Sequence, residues 1–302
     1  MNSSLWFADS AMRAAYARQG LRSPFMGDAV PHVLIVGAGD TGLSLATMLS
    51  SAGLRVSTLN RSGRSIDAAT ALVGNLADPA SLMGLPSADV VVFTTAPPSR
   101  DDEGYRTAYL DGPQRLLDAL PTEPARAVLT STTGVYGADD GRWVTATTPP
   151  EPSRSTAAIV VEGEAALARR IPTTVVRSAG IYGPGRRRLI DQVLTGVVGV
   201  TPGMPARWTN RVHRDDLAAA LALCVVHPSP PPVAIAVDDE PAPRDDVLAW
   251  IAAQVRVDLG PDPSPIVAPT GKRCRNSELK DLGWELSYPT FREGYTSVLA
   301  TL

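Results

Sequence analysis

The sequence predicts an α/β protein with a Rossmann-type, doubly wound parallel sheet and a small C-terminal substrate-binding cap. Three observations carry this. From residue 31, short β-rich apolar runs alternate with helical stretches, which favours a parallel sheet covered by helices on both faces. The segment Val33-Leu34-Ile35-Val36-Gly37-Ala38-Gly39-Asp40-Thr41-Gly42 places a glycine-rich turn directly between the first such run and the first helix. Beyond Tyr182 the rhythm changes to short elements separated by proline-rich loops, among them Pro228-Ser229-Pro230-Pro231-Pro232 and Gly260 to Pro269.

The elements follow in order. His32 to Val36 reads as a buried strand and Leu43 to Ser51 as a helix, with Gly53 past its end as C-cap. Strands are expected at Arg55 to Leu59, Ala71 to Val73 and Val90 to Thr94, the last ending at Pro97-Pro98. A helix from about Gly104 to Leu120 leads to a strand at Ala127 to Thr130. Helix Ile159 to Arg169 precedes strand Thr173 to Val176. Later helices are expected at Arg214 to Val226, Arg244 to Val255 and Asn276 to Leu282. The expected organisation is an extension over residues 1–29, a nucleotide-binding domain over 30–180, and a smaller cap over 181–302 interleaved with the last sheet strands.

Composition narrows the function. A chain of 302 residues with net charge -3 and a pI near 5.7 argues against a general nucleic-acid or anionic-membrane binder. The two cysteines, Cys224 and Cys274, form neither a disulfide framework nor a metal-ligand cluster, so no metal and a reducing cytoplasm are expected. Cys224 lies in the apolar run Leu217 to Val226, which is too short to span a bilayer and reads as core. The N-terminal apolar patch, Leu5 to Ala8, is too short for a signal peptide. Of 28 basic residues only Lys272 and Lys280 are lysines. Any mechanism that needs a lysine in the first 271 residues is thereby excluded.

In the glycine-rich segment, Gly37 permits the tight turn, Gly39 lets a pyrophosphate approach the backbone, and Gly42 allows close helix packing. The helix-start amides around Asp40 and Thr41 then face the phosphates. After the second strand the sequence reads Leu59-Asn60-Arg61-Ser62-Gly63-Arg64. No carboxylate is present to accept ribose hydroxyls. Asn60, Ser62 and the guanidiniums of Arg61 and Arg64 instead suit the 2′-phosphate of NADP(H), the expected cofactor.

The chain resembles the extended short-chain dehydrogenase/reductase superfamily (NAD-dependent epimerase/dehydratase-like) over nearly all of residues 32–295. Gly74-Asn75-Leu76-Ala77-Asp78 is similar to its adenine-side segment. Thr130 to Gly137 (TSTTGVYG) is similar to its active-site strand end, and Arg177 to Gly185 (RSAGIYGPG) to its nicotinamide and substrate loop. Asn210 to Asp216 (NRVHRDD) resembles the family's NxxHxxD, and Leu282-Gly283-Trp284 its LGW. The resemblance implies that Asn75, Leu76, Thr95, Ala96, Ser178 and Ala179 border the cofactor. It also implies that Thr132 holds the reacting oxygen and that His213 positions a loop.

One departure is decisive. The family's YxxxK precedes a GE pair; registered on Glu162-Gly163-Glu164, its Tyr position holds Thr156 and its Lys position Val160. A slip by two gives Arg154 and Ala158. This pattern, with Thr94-Thr95-Ala96-Pro97-Pro98, is similar to the atypical YeeZ-like branch. Without a lysine, a phenol titrates near 10 and is a poor base at pH 7. Of the seven tyrosines, Tyr105 and Tyr136 join Thr132 as catalytic candidates, while Tyr109 stands where relatives often have Asn. Tyr182, Arg186, Arg207 and Trp208 are candidates for substrate, Arg186-Arg187-Arg188 offering guanidiniums to a carboxylate or phosphate. Gly180 replaces an Asn typical of nucleotide-sugar enzymes.

The expected function is therefore an NADP(H)-dependent oxidoreductase for a small non-nucleotide carbonyl, alcohol or imine. The alternatives are an epimerase or dehydratase with bound cofactor, and a non-catalytic NADP-binding sensor. The expected partner is a small molecule, with homodimerisation through two sheet-flanking helices as a family-level expectation.

Overall fold

The computed structural model describes residues 30–198, 207–259 and 270–301. The expected extension over 1–29 and the whole loop from Gly260 to Pro269 lie outside them.

Seven parallel strands form the central sheet. In chain order they are β1 (His32–Val36), β2 (Arg55–Asn60), β3 (Thr70–Val73), β4 (Val90–Phe93), β5 (Arg126–Thr132), β7 (Thr173–Ser178) and β11 (Val233–Ala236). Their spatial order is β11-β7-β5-β4-β1-β2-β3, so the strand order reverses between β1 and β4. In doubly wound sheets the crevice at that reversal is where ligands bind. Residues of β1 and β4 alternate between two apolar layers. Leu34, Val36, Val91 and Phe93 face one, and Val33, Ile35, Val90 and Val92 the other. Both faces are buried, which is why these strands read as continuous apolar runs rather than alternating ones.

The helices α1 (Asp40–Ser51) and α6 (Arg214–Val226) cover one face, packed against each other. The helices α3 (Asp111–Ala119) and α4 (Ser155–Arg170) cover the other through Leu116, Leu117, Val160 and Leu167. Cys224 is fully buried in α6, and burial pushes its thiol up to about 12. No described helix is long and apolar enough to cross a membrane.

Two elements depart from expectation in ways that shape the site. The expected helix Gly104 to Leu120 is three pieces: α2 (Asp102–Tyr105), a π-helical turn (Arg106–Leu110) and α3. It starts early because the Asp101 carboxylate caps it, accepting from the Gly104 amide at 2.9 Å. The regular ladder fails where Pro113 has no N–H to give the Tyr109 carbonyl four residues back. Helix α4 begins at Ser155, four residues earlier than expected, with the Ser155 hydroxyl donating to Asp102 at 2.7 Å. Gly163 of α4 sits against the π turn: a Cβ there would lie 2.2 Å from the Tyr109 carbonyl oxygen.

After β7 the chain returns once to the sheet, as β11, and otherwise builds short elements. These include β8 (Gly180–Tyr182), α5 (Arg188–Leu194), β9 (Arg207–Thr209), β10 (Arg211–His213), α7 (Arg244–Val255), α8 (Ser277–Asp281) and α9 (Phe291–Leu299); the short β6 (Trp143–Val144) lies outside the central sheet. Their own apolar cluster contains Ile190, Val193, Leu248, Ile251, Phe291 and Val298. The NRVHRDD segment organises this half. His213 Nδ1 accepts from the Asp215 amide at 3.2 Å, capping α6, and burial pushes the ring down to about 4 and keeps it neutral. Asp216 accepts the amides of Ser287 and Tyr288 at 2.8 and 3.0 Å, and its carbonyl accepts from the Trp284 indole at 3.1 Å. The motif thus ties α6 to the LGW segment.

Beside this lies Asp238, 2 % exposed, with neither carboxylate oxygen in a hydrogen bond. Burial pushes it up to about 8, outweighing the attraction of Arg211.

Two expectations follow. Gly163→Ala should cost about 1–3 kcal/mol by overpacking α4 against the π turn, read as a lower urea midpoint; an unchanged midpoint would contradict that contact. Asp238 binds its proton more tightly folded than unfolded, so it removes stability as pH rises from about 4 toward 8. Asp238→Asn should therefore gain stability over the parent at pH 8 relative to pH 5, in urea unfolding at both.

Candidate functional site

The crevice opens between the loops after β1 and β4. Gly37 adopts φ +106°, and its amide donates to the Leu59 carbonyl at 2.8 Å. A side chain there would strike the backbone of Thr94 and Thr95 at 2.9 Å. The Thr94 hydroxyl donates to the Gly37 carbonyl at 2.6 Å, locking the two loops together. Gly42 packs against the same carbonyl too closely for any Cβ, whereas nothing lies within 4 Å of where a Gly39 Cβ would stand. The turn is therefore closed on its protein side and open on the side where a pyrophosphate would lie.

A cleft of about 230 Å³ runs from this turn along the strand ends. Thr41, Thr95, Ala96, Tyr109, Thr132, Ser178, Ala179 and Arg186 are among its walls. Two of its buried hydroxyls, on Thr41 and Thr130, have no hydrogen-bond partner in the protein. An open glycine turn, a helix start and unpartnered hydroxyls on one wall fit a dinucleotide.

The remaining expected cofactor residues play varied parts. Asn60 works inward: its carbonyl oxygen accepts from the Ser62 amide, the Ser62 hydroxyl and the Arg64 amide at 2.9–3.1 Å. Its amide nitrogen donates to the Arg64 carbonyl at 2.7 Å. Asn60 thus builds the loop that presents Arg61, Ser62 and Arg64. Arg64 reaches the glycine turn, 4.0 Å from the Asp40 carboxylate. Asn75 likewise holds its own turn, accepting from the Ala77 amide at 3.1 Å, and the Leu76 side chain is buried in the core.

The catalytic candidates separate. Thr132 stands on the cleft wall, its hydroxyl oxygen accepting from the Gly134 amide at 3.0 Å and its proton available to the cleft. Tyr136 does not reach the cleft. It is 2 % exposed, and its hydroxyl donates to the Thr145 carbonyl at 3.1 Å while accepting from Arg177 at 2.8 Å. Tyr105 is half-buried behind the wall, stacked on Tyr109 with centroids 5.9 Å apart. Tyr109, in the π-helical turn that sequence periodicity did not show, is the tyrosine found on the cleft wall. Burial, with Tyr105 and Glu164 nearby, pushes it up to about 12.

Behind Thr132 lies a second feature missed at the sequence level. Glu164 and Arg177, 7 % and 5 % exposed, pair at 2.6 Å and again at 3.1 Å. The Ser131 hydroxyl donates to the same carboxylate at 2.5 Å, and the Ser178 hydroxyl to the Ser131 carbonyl at 2.9 Å. The pair joins α4, β5 and β7. Its signal was present in the GE and RSAG motifs, but sequence spacing does not reveal which acid meets which base.

The substrate candidates are also redistributed. Tyr182 belongs to the core of the C-terminal half, 4 % exposed and stacked on Tyr295 at 4.4 Å. Arg207 pairs with Asp139 at 2.9 Å, and Trp208 carries Arg273 over its ring at 5.1 Å; neither lines the cleft. Arg186 does line it, and on its other side borders a hollow of about 710 Å³ shared with Arg187 and Arg188. Thr156 and Val160, at the Tyr and Lys positions of the family, place no phenol or amine there, Val160 being wholly buried. Lys272 does approach the loop after β5, but its ammonium donates to the Tyr136 carbonyl at 2.6 Å and is not part of the cleft wall.

Known proteins place the chain. No curated protein matches it in sequence. Among solved structures, it is similar to a protein from Methylobacillus flagellatus described as an NAD-dependent epimerase/dehydratase. Identity is 31%, coverage 90% of this chain and 99% of that one, and the TM-score 0.78. It shares its fold with human SDR39U1, an epimerase family protein solved with NADPH (18% identity, 90% and 100% coverage, TM-score 0.71). The Thermus thermophilus UDP-glucose 4-epimerase solved with NAD has the same fold (21% identity, 89% and 98% coverage, TM-score 0.72). The model of the NAD dependent epimerase/dehydratase family matches residues 33–236, and the chain belongs to that family.

Proposed function

We propose that the protein is an NADP(H)-dependent oxidoreductase that acts on a small, non-nucleotide carbonyl, alcohol or imine without a Tyr-Lys pair. One observation carries the reading. The loop after β2 presents Arg61 and Arg64 and no carboxylate, and Arg64 is folded back to the glycine turn. Solved structures of this fold hold NADPH or NAD, and the planar guanidiniums of this loop suit the 2′-phosphate of the first.

When bound, the nicotinamide would supply a hydride to the substrate carbon or accept one from it. Thr132 holds the reacting oxygen through its free hydroxyl proton. Tyr109, protonated at neutral pH, gives its Oη proton to that oxygen as the carbonyl is reduced, and solvent at the cleft mouth restores it. A protonated imine needs no proton at this step. A phenol held up at about 12 is a poor base, which favours the reducing direction over alcohol oxidation and over the dehydratase or epimerase class, all of which need a base in the cleft.

Fluorescence titration should show NADPH binding more tightly than NADH, and Arg61→Ala or Arg64→Ala should erase the difference. Tighter NADH binding would overturn the cofactor assignment. Absorbance at 340 nm, with a panel of aldehydes, ketones and cyclic imines, should show NADPH consumption. For the carbonyl substrates, Tyr109→Phe should lower kcat by about 10²-fold or more and leave NADPH affinity intact. Tight NADPH binding with no consumption across the panel would identify a sensor instead.

A further inference from the structure

The turn Gly183-Pro184-Gly185 carries Arg186 from the C-terminal half of the chain across to the start of α1. It is braced on both sides. The Arg186 amide donates to the Gly183 carbonyl at 2.9 Å, and Arg214 Nη1 donates to the Pro184 carbonyl at 3.0 Å. Gly185 faces Asp40, and a Cβ there would lie in ordinary contact, 3.4 Å from its carboxylate. Arg186 Nε then stands 3.5 Å from that carboxylate, with Arg64 at 4.0 Å. Neither contact is a hydrogen bond: Arg186 Nε is buried and makes none, and Asp40 is its ion-pair partner.

Asp40 is the first residue of a twelve-residue helix, at the positive end of its dipole. The next residue, Thr41, is 5 % exposed, lines the cleft, and has no partner for its hydroxyl. The space beside Gly39 is open. One ligand chemistry accounts for the guanidinium nitrogen that lacks a hydrogen bond, the unpartnered hydroxyl and the open backbone together: a multiply charged phosphate anion at the helix start.

We infer that Arg186 is a clamp for the cofactor pyrophosphate, and that Asp40 is the partner it leaves when the dinucleotide binds. This rests on the dinucleotide reading above. The clamp comes from the half of the chain that also carries the larger hollow, so cofactor binding fixes the wall shared by that hollow and the cleft. Arg64 and Arg186 then divide the work. Arg64 reads the 2′-phosphate, and Arg186 holds the phosphates common to both nicotinamide dinucleotides.

The test is fluorescence titration of NADPH and NADH against wild type, Arg186→Ala, Arg64→Ala and Asp40→Asn, with thermal melting to confirm folding. Arg186→Ala should weaken NADPH and NADH by the same factor, about tenfold or more, as for a lost charge-assisted contact. Arg64→Ala should weaken NADPH alone. Asp40→Asn should tighten both nucleotides severalfold, because the competing carboxylate is gone. Wild-type affinity for both nucleotides in Arg186→Ala would overturn the clamp and leave the cofactor reading standing. Loss confined to NADPH would also overturn it, placing Arg186 at the 2′-phosphate. If the wild type binds neither nucleotide, the dinucleotide reading itself falls, and the clamp with it.

Discussion

The buried pair between Glu164 and Arg177 is the interaction on which the cleft wall depends. Charges this deep are stable only when paired and fully hydrogen-bonded, and removing one member leaves the other uncompensated. Here the pair is bidentate, and the hydroxyls of Ser131 and Tyr136 join it. Those contacts fix the end of β5 against α4 and β7. Thr132 is the next residue, so its hydroxyl inherits its position from a network it does not touch.

The opposite wall is set by a different constraint. Pro113 leaves the Tyr109 carbonyl without its helical partner, and the chain accommodates this as a π turn rather than a continuous helix. Gly163 gives α4 room to close on that turn. The pair Glu162-Gly163-Glu164 thus serves both walls: the glycine receives Tyr109 and the second glutamate receives Arg177. This explains how the family's motif persists in a chain whose Tyr and Lys positions hold Thr156 and Val160. The motif's packing role does not depend on the catalytic pair that usually precedes it.

The outcome is a dinucleotide site whose wall carries the hydroxyls of Thr41, Thr130 and Thr132 and no lysine. The lysines make the contrast plain. Lys280 pairs with Asp239 on the surface at 3.0 Å, and Lys272 straps the C-terminal half to the loop after β5 through the Tyr136 carbonyl. Asn210 serves the same strap, accepting from the Cys274 amide at 2.7 Å and donating to the Lys272 carbonyl at 2.9 Å. Both lysines are structural, and neither lies on the cleft wall.

Sequence by itself determined the alternating sheet, the glycine turn with its helix, helices Arg214–Val226 and Arg244–Val255 to the residue, and the missing Tyr-Lys pair. Each of these is a local pattern: a period, a spacing, or the absence of a residue type. Tertiary structure decided which phenol faces the cleft, which acid meets Arg177, and that Arg186 reaches Asp40 from more than a hundred residues away. Tyr136 and Tyr182 share family motifs with residues of the cleft wall, and their rings nevertheless serve the core. These outcomes depend on which side chains are brought together through space and how far each is desolvated. Burial and long-range pairing have no period along the chain, so only the folded arrangement expresses them.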